Sequence, residues 1–119
     1  MRLKPSISGR AEAGLTNQYR WYLANAGEQV AERFLAEFDD TVERLVQFPE
    51  LGRRRRFRDP ELAGLRSRAV RGRFGAHLIF YRGSEAGISI ERVMHGTRDL
   101  PQRLLEAPEG YPPQGDLLG

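Results

Sequence analysis

The sequence contains no cysteine, so disulfide bonds, thiolate metal sites and a cysteine nucleophile are excluded. Its only histidines are His77 and His95, which are too few for a zinc site built on histidine ligands. No apolar run reaches the length of a membrane span, and the first residues lack the apolar stretch of a secretion signal. We therefore expect a cytoplasmic protein that works without a metal or any other cofactor.

Lysine is almost as scarce, because Lys4 is the only lysine among 19 basic residues. The net charge is only +3, but nine arginines lie between Leu51 and Phe74, against two acidic residues. Arginine binds phosphate and carboxylate groups in a fork geometry. This density suits a polyanion or an acidic protein partner, although a solvated charge run or an arginine-rich genome would leave the same pattern.

The first half of the chain has helical periodicity. Residues 2–7 alternate between apolar and polar and predict a short edge strand. Ser8 then stands where a helix N-cap belongs, and apolar residues recur at helical spacing as far as residues 25–27. A second apolar stripe runs through residues 31–48 and ends before Pro49. Because the connection is short, the two helices should form an antiparallel hairpin.

The second half has the period of extended chain. Residues 65–70, 74–82 and 88–94 are strand-length runs separated by glycine-containing turns, which predicts an antiparallel meander. The order β-α-α-β-β-β predicts an α+β fold in which the helical hairpin packs on a small antiparallel sheet. The length of 119 residues suits a single domain. We place it at residues 1–105, followed by a flexible tail rich in proline and glycine over residues 106–119.

Four short motifs match one protein family in their order and spacing. They are L-x-x-x-P-x-x-G at residues 45–52, L-R at 65–66, I-F-Y-R at 79–82 and I-x-I-x-R-V-x-H-G-x-R-D at 88–99. Through them the chain resembles the RelE/ParE toxin superfamily over most of residues 8–100. Gly14 and Gln18 depart from the family pattern, which often has an aspartate and an aliphatic residue there. Both departures concern the packing of the first helix.

The resemblance implies the toxin of a type II toxin–antitoxin pair, held inactive by a cognate antitoxin. It leaves two activities open, because fold alone does not decide function. ParE-like members inhibit DNA gyrase without a catalytic set, whereas RelE-like members resemble ribosome-dependent mRNA endoribonucleases. Lysine is absent after Lys4, and the motifs at residues 45–52 and 92–99 look closer to the ParE-like branch. We therefore favour a non-enzymatic gyrase inhibitor, with a metal-independent endoribonuclease as the alternative.

A ribonuclease of this type needs a proton acceptor, a proton donor and cations around the phosphate. Strict strand alternation predicts that one open sheet face carries such groups, if Ile88 and Ile90 face the helices. The predicted catalytic set on this face is Arg66, Tyr81, Glu91 and His95, with Arg68 and His77 beside it. The opposite register also fits the sequence, and it would place Tyr81 in the core with its hydroxyl hydrogen-bonded. A histidine at a strand end is more often structural than catalytic.

Two further groups of residues are candidates for binding a partner protein. The first is the run Arg53, Arg54, Arg55 and Arg56. The second is the aromatic pair Trp21 and Tyr22 on the first helix, which fits the hairpin core most simply, although an aromatic at an edge can also receive an antitoxin segment. The predicted partners are the antitoxin and DNA gyrase or, in the alternative, the ribosome and mRNA, without a membrane.

Overall fold

The computed structural model describes residues 5–96 and 100–108, which form an α+β fold. Its helices and strands are β1 (Ser6–Ile7), α1 (Gly9–Asn25), α2 (Glu28–Gln47), β2 (Arg53–Arg54), β3 (Arg66–Ala69), β4 (His77–Ser84), β5 (Gly87–His95) and α3 (Leu100–Leu105). Short 3-10 turns occupy Pro60–Leu62 and Gly72–Phe74. The predicted fold class is confirmed.

The strands form a five-stranded sheet in the order β1-β5-β4-β3-β2. The β1 strand runs parallel to β5, and the other neighbours are antiparallel. The predicted meander corresponds to β3, β4 and β5, but β4 begins three residues later than predicted, because Gly72–Phe74 forms a 3-10 turn. The strand β2 was not predicted, since it occupies two residues inside the arginine run.

The helical hairpin forms as the sequence predicts. The Ser8 hydroxyl accepts a hydrogen bond from the Ala11 N–H at 3.0 Å, so it satisfies one of the free donors at the start of α1. Gly27 separates the two helices with a φ of 96°, a conformation that glycine adopts without strain. The α2 stripe is buried at Ala31, Phe34, Phe38, Val42 and Leu45.

Phe48 is an exception to the predicted α2 stripe, because 59% of its surface is exposed. The helix ends at Gln47, and Phe48 itself has left helical geometry with φ −131° and ψ 78°. A residue beyond the last helical position no longer follows the 3.6-residue period. The prediction that Phe48 belongs to the core is therefore wrong.

Gly14 allows α1 to lie directly against the backbone of β5. A Cβ atom built at Gly14 would lie 2.3 Å from the Val93 carbonyl oxygen, which is far inside van der Waals contact with an atom that cannot rotate away. The residue is buried in this contact. The departure of Gly14 from the family pattern thus has a packing reason: a larger residue would force α1 away from the sheet.

A β-bulge in β5 breaks the alternation on which the sequence interpretation relied. Phe80 pairs with Arg92 but Tyr81 pairs with Ile90, so Glu91 is an extra residue without an opposite partner. The bulge brings Ile90 and Val93 to the same side of the sheet, where both join the core beneath the helices. Because β4 has no matching irregularity, Tyr81 also faces the helices.

The opposite face of the sheet is covered as well. Its buried cluster consists of side chains from the 3-10 turn at residues 60–62, the sheet and α3, namely Leu62, Leu65, Phe80, Met94, Leu100 and Leu104. The prediction of an open sheet face is therefore wrong. The cause is the short C-terminal helix α3, whose apolar residues supply the cover.

The end of the described chain is tied to β5 by a buried arginine. One terminal nitrogen of Arg92, Nη1, donates to the carbonyl oxygens of Arg103, Leu104 and Glu106 at 3.0, 2.9 and 2.6 Å. These are among the free carbonyls at the C-terminal end of α3. The predicted tail lies outside the described residues from residue 109 onward, so the boundary at residue 105 stays a prediction. Within the described ranges no helix is long and apolar enough to span a membrane.

The Gly14 contact gives a stability test. Gly14→Ala should lower the free energy of unfolding by about 1–3 kcal/mol, because overpacking against a fixed carbonyl outweighs the better helix propensity of alanine. Gly75→Ala is the matched control, since Gly75 has φ −64° and an added Cβ would meet nothing closer than 3.9 Å. The control should change stability by less than about 1 kcal/mol. Urea unfolding measures both, and equal effects would contradict the packing argument.

Candidate functional site

The Tyr81 hydroxyl lies inside the fold and has a partner on each side. Tyr81 is fully buried, donates to the Pro49 carbonyl at 2.7 Å and accepts from the Gly52 N–H at 2.8 Å. Burial raises its pKa above the usual value for tyrosine. A Cβ atom at position 52 would lie 2.4 Å from this hydroxyl, so the position requires glycine. The L-x-x-x-P-x-x-G motif therefore binds the hydroxyl of a buried tyrosine. For β4 the second register considered from sequence is correct, whereas Ile88 and Ile90 face the helices as in the first.

His77 is a buried, neutral histidine beneath the helices. It is 1% exposed, and its Nε2 lies 2.7 Å from the Tyr22 hydroxyl. Its ring packs 4.8 Å from the ring of Phe34 and 4.8 Å from that of His95. Burial, with the nearby His95 as a smaller cause, lowers the pKa of His77 to about 4. The residue is therefore uncharged near pH 7, and Tyr22 belongs to the hairpin core, as its simplest interpretation predicted.

Glu91 lies away from the other predicted catalytic residues. At the bulge its carboxylate pairs with Arg82 at 3.2 Å and accepts from the Ser89 hydroxyl at 2.6 Å. Arg82 also donates to the carbonyls of Ala63 and Glu61, next to the 3-10 turn that covers the second sheet face. Glu91 thus faces the side opposite Tyr81.

His95 and Tyr81 share the helix side of the sheet but not one site. His95 pairs with His77 across the strands, and His77 lies four residues from Tyr81 along β4. At about 3.4 Å per residue, this places the backbones of His77 and Tyr81 roughly 14 Å apart. The His95 ring is at an exposed position, while its backbone carbonyl accepts from Arg103 at 2.9 Å. A general acid and base must both reach one phosphodiester through distances near 3 Å. Arg66, Tyr81, Glu91 and His95 are therefore not gathered around one point.

The four consecutive arginines point to different sides of the sheet. Arg53 pairs with Ser67, and Arg54 pairs with Arg66. Arg55 donates to the Ser67 hydroxyl at 3.2 Å and lies over the Phe80 ring, 5.9 Å from its centroid, on the second face. Burial, with the nearby Arg53 as a smaller cause, lowers the pKa of Arg55. The run is therefore not a single patch, and its partner-binding role stays a prediction.

At the β2–β3 edge of the sheet, strand alternation places three arginines on the side that faces the helices. Arg66 is the pairing partner of Tyr81, and Arg68 is that of Ile79, so both lie on the helix side together with Arg54. Arg66 donates to the carbonyls of Gly52 and Glu50 at 3.0 and 3.4 Å. We call Arg54, Arg66 and Arg68 the arginine row.

Trp21 is a surface residue. Its side chain is 57% exposed and stands edge-on to Tyr22, with ring centroids 5.4 Å apart. The interpretation of Trp21 as hairpin core is wrong, because α1 presents only the Tyr22 side to the sheet. An exposed tryptophan is a common anchor in protein interfaces. The predicted contact between Trp21 and a partner stays a prediction.

Sequence reasoning missed Arg92, although the residue is part of the matched motif at residues 88–99. It is 7% exposed, and its Nε has no hydrogen-bond partner in the described part of the chain. Its carbonyl contacts at the end of α3 depend on a helix that the sequence barely signals. Among residues 5–96 and 100–108, no group of three or more histidine, aspartate or glutamate side chains is placed to hold a metal ion.

The pKa of His77 predicts how stability depends on pH. In the unfolded chain a histidine titrates near 6.5, but in the folded protein His77 titrates at about 4. The unfolded state therefore binds more protons between these values, so stability is complete above about pH 6.5 and falls as the pH drops. Between pH 7 and pH 5 the free energy of unfolding should fall by about 2 kcal/mol. His77→Leu should abolish this slope and His95→Ala should keep it. A slope that survives His77→Leu would contradict the assignment.

The Tyr81 hydroxyl predicts a second stability effect. Tyr81→Phe should lower the free energy of unfolding by about 1–3 kcal/mol, because it leaves the buried Gly52 N–H and Pro49 carbonyl without their partner. Tyr19→Phe makes the same chemical change at a half-buried hydroxyl that has no hydrogen bond within the described residues, and should have little effect. Denaturant unfolding compares the two variants. Equal stability would show that the Tyr81 hydroxyl does not hold the turn.

Comparison with known proteins agrees with this architecture. Residues 6–100 match the family model described as the ParE toxin of the type II toxin–antitoxin system parDE. A chromosomal ParDE toxin–antitoxin system from P. aeruginosa contains a chain of the same fold, with a TM-score of 0.64, 21% identity, and coverage of 81% of this chain and 98% of that one.

A YoeB–YefM complex from Staphylococcus aureus gives a TM-score of 0.49 at 16% identity, covering 82% of this chain and 100% of its own. No curated protein sequence matches the chain. The family match spans most of the chain, including α1, α2 and the whole sheet. The chain therefore belongs to the ParE toxin family of type II toxin–antitoxin systems.

Proposed function

We propose that this protein inhibits DNA gyrase through a binding surface, acts in the cytoplasm, and is neutralised by a cognate antitoxin. The observation that carries the proposal is the dispersal of the groups a ribonuclease would need. The Tyr81 hydroxyl is enclosed by Pro49 and Gly52, and Glu91 is paired with Arg82. A gyrase inhibitor needs only a complementary surface. In this chain the Tyr81 hydroxyl and the Glu91 carboxylate are both engaged in contacts within the fold.

The energetics of catalysis support the same choice. A positioned general acid or base is worth about a hundredfold to ten-thousandfold in rate. Of the predicted set, His95 alone combines an imidazole side chain with an exposed position. His77, its cross-strand partner, is buried and uncharged, and no other member of the predicted set stands beside it. The predicted set therefore lacks the pair of proton-transfer groups that the alternative ribonuclease would require.

The antitoxin is the partner that family membership supports most directly. Its contact surface is proposed to include Trp21, since a large exposed aromatic costs little entropy to order and buries much area. Arg53 and Arg56 are exposed and can pair with carboxylates at the rim of such an interface. Arg55 and Tyr22 contribute less to it, because each is already engaged inside the fold.

The proposal predicts the behaviour of toxin purified away from its antitoxin. It should inhibit DNA supercoiling by gyrase and leave ribosome-bound mRNA intact, and its expression without antitoxin should arrest growth with signs of DNA damage. His95→Ala should inhibit gyrase as strongly as the parent chain, once urea unfolding has shown that the variant is folded. A supercoiling assay and primer extension on ribosome-bound mRNA measure the two activities. Cleavage of mRNA that His95→Ala reduces a hundredfold or more would establish the ribonuclease instead.

A further inference from the structure

The arginine row forms a fixed array of positive charge at the β2–β3 edge of the sheet. Arg54 and Arg66 are direct cross-strand partners, which places their backbones about 5 Å apart. Arg66 and Arg68 are two residues apart on one strand and face the same side, about 7 Å from each other. Arg66 is held in place by the carbonyls of Gly52 and Glu50. The spacing of the row is thus set by the sheet and not by flexible loops.

Among the described residues, no ion pair balances the charge of the row. Within the described residues the ion pair between Arg82 and Glu91 is on the opposite side of the sheet, and none involves a member of the row. Arg66 uses only neutral backbone carbonyls as acceptors. Three guanidinium groups at this spacing repel one another, which disfavours the folded state unless an anion is bound. A local cost of this kind is typical of a functional surface.

We propose that the arginine row binds consecutive phosphates of a DNA backbone. Guanidinium groups match phosphate in charge and in fork geometry. The row presents no exposed apolar residue between its members, because Ser67 and Arg53 face the other side and Tyr81 is buried. A protein partner would need an apolar anchor among the three guanidinium groups, and the exposed Phe48 lies outside the row. The choice of duplex DNA over RNA rests on the proposed action on gyrase, whose substrate is DNA. The row would thus contact the DNA that the enzyme holds.

Salt dependence of DNA binding tests the row without gyrase. The full chain, free of antitoxin, is titrated onto a fluorescently labelled DNA duplex of random sequence, and the dissociation constant is measured by anisotropy from 50 to 200 mM salt. Each phosphate contact contributes about 0.9 to the slope of log affinity against log salt. The double variant Arg54→Gln/Arg68→Gln should therefore lower the slope by about 1.8 and weaken binding at 50 mM salt.

Arg58→Gln/Arg71→Gln is the matched control. It removes the same charge from two exposed positions that lie outside the row and outside the proposed antitoxin contact. The control should keep the slope of the parent chain. An equal fall in both double variants would show that only net charge matters and would overturn the proposal. So would an unchanged slope in the row variant.

An acidic peptide as the true occupant gives a different result. The row variant would then lose affinity for the antitoxin, while duplex binding stayed as in the parent chain, and this outcome also overturns the proposal. Phe48→Ala sharpens the comparison, because Phe48 precedes the turn that Arg66 contacts and offers an aromatic anchor to a peptide but nothing to a phosphate backbone. It should leave the salt slope unchanged.

The supercoiling assay separates this proposal from the proposed function. Specific loss of duplex binding in the row variant, together with a parent chain that fails to inhibit gyrase, would support the row and reject gyrase as the target. Inhibition of gyrase with no salt-dependent duplex binding would support the target and reject the row. If both proposals hold, the row variant should also need a higher concentration than the control variant to inhibit supercoiling.

Discussion

The hydroxyl of Tyr81 is the contact on which the arrangement of this fold depends most. It joins the middle strand β4 to the turn that follows α2, through the Pro49 carbonyl on one side and the Gly52 N–H on the other. The same turn leads directly into β2, and the Gly52 carbonyl accepts a hydrogen bond from the Arg66 side chain of β3. One buried phenol thus sets the end of the helical hairpin, the start of the edge strand and the position of the arginine row. Because the group is neutral and has both its partners, the contact costs little to bury.

The bulge at Glu91 gives the sheet its second constraint. It lets β5 place Ile90 and Val93 on the helix side while Arg92 and Met94 face α3. Without the extra residue, one half of β5 would present its polar side to the helical core. The bulge also turns Glu91 out of the core, where Arg82 neutralises it. Glu91, which strand alternation placed in the catalytic set, is therefore the bulge residue that allows β5 to contribute to a hydrophobic core on each face of the sheet.

The sequence predicted the parts of the fold that have strong periodicity. The hairpin followed from the apolar stripe and the Ser8 cap, and the meander followed from the change of period. The bulge could not be predicted, because Ile88, Ile90 and Val93 are all apolar and fit either register. Nor could the cover on the second face be predicted, since a six-residue helix such as α3 carries too little apolar periodicity to show where it will pack. The site prediction assumed strict alternation and an uncovered face. It therefore placed Tyr81 and Glu91 together on one open face, whereas the two residues lie on opposite sides of a sheet that is covered on both.

The placement of the hydroxyl, the carboxylate and the imidazole also bears on the proposed function. Turning this chain into a nuclease would take more than adding a base, because the Tyr81 hydroxyl holds the turn whose carbonyls accept from Arg66. A substitution that freed the Tyr81 hydroxyl from this turn would also weaken the hydrogen bond that positions Arg66, the cation that a nuclease would need nearby. Binding of an anion involves no such conflict, because the guanidinium groups at the sheet edge can contact it while the backbones of these arginines keep their hydrogen bonds in the sheet. In this chain the same contacts that hold the core therefore support the proposed role in recognition.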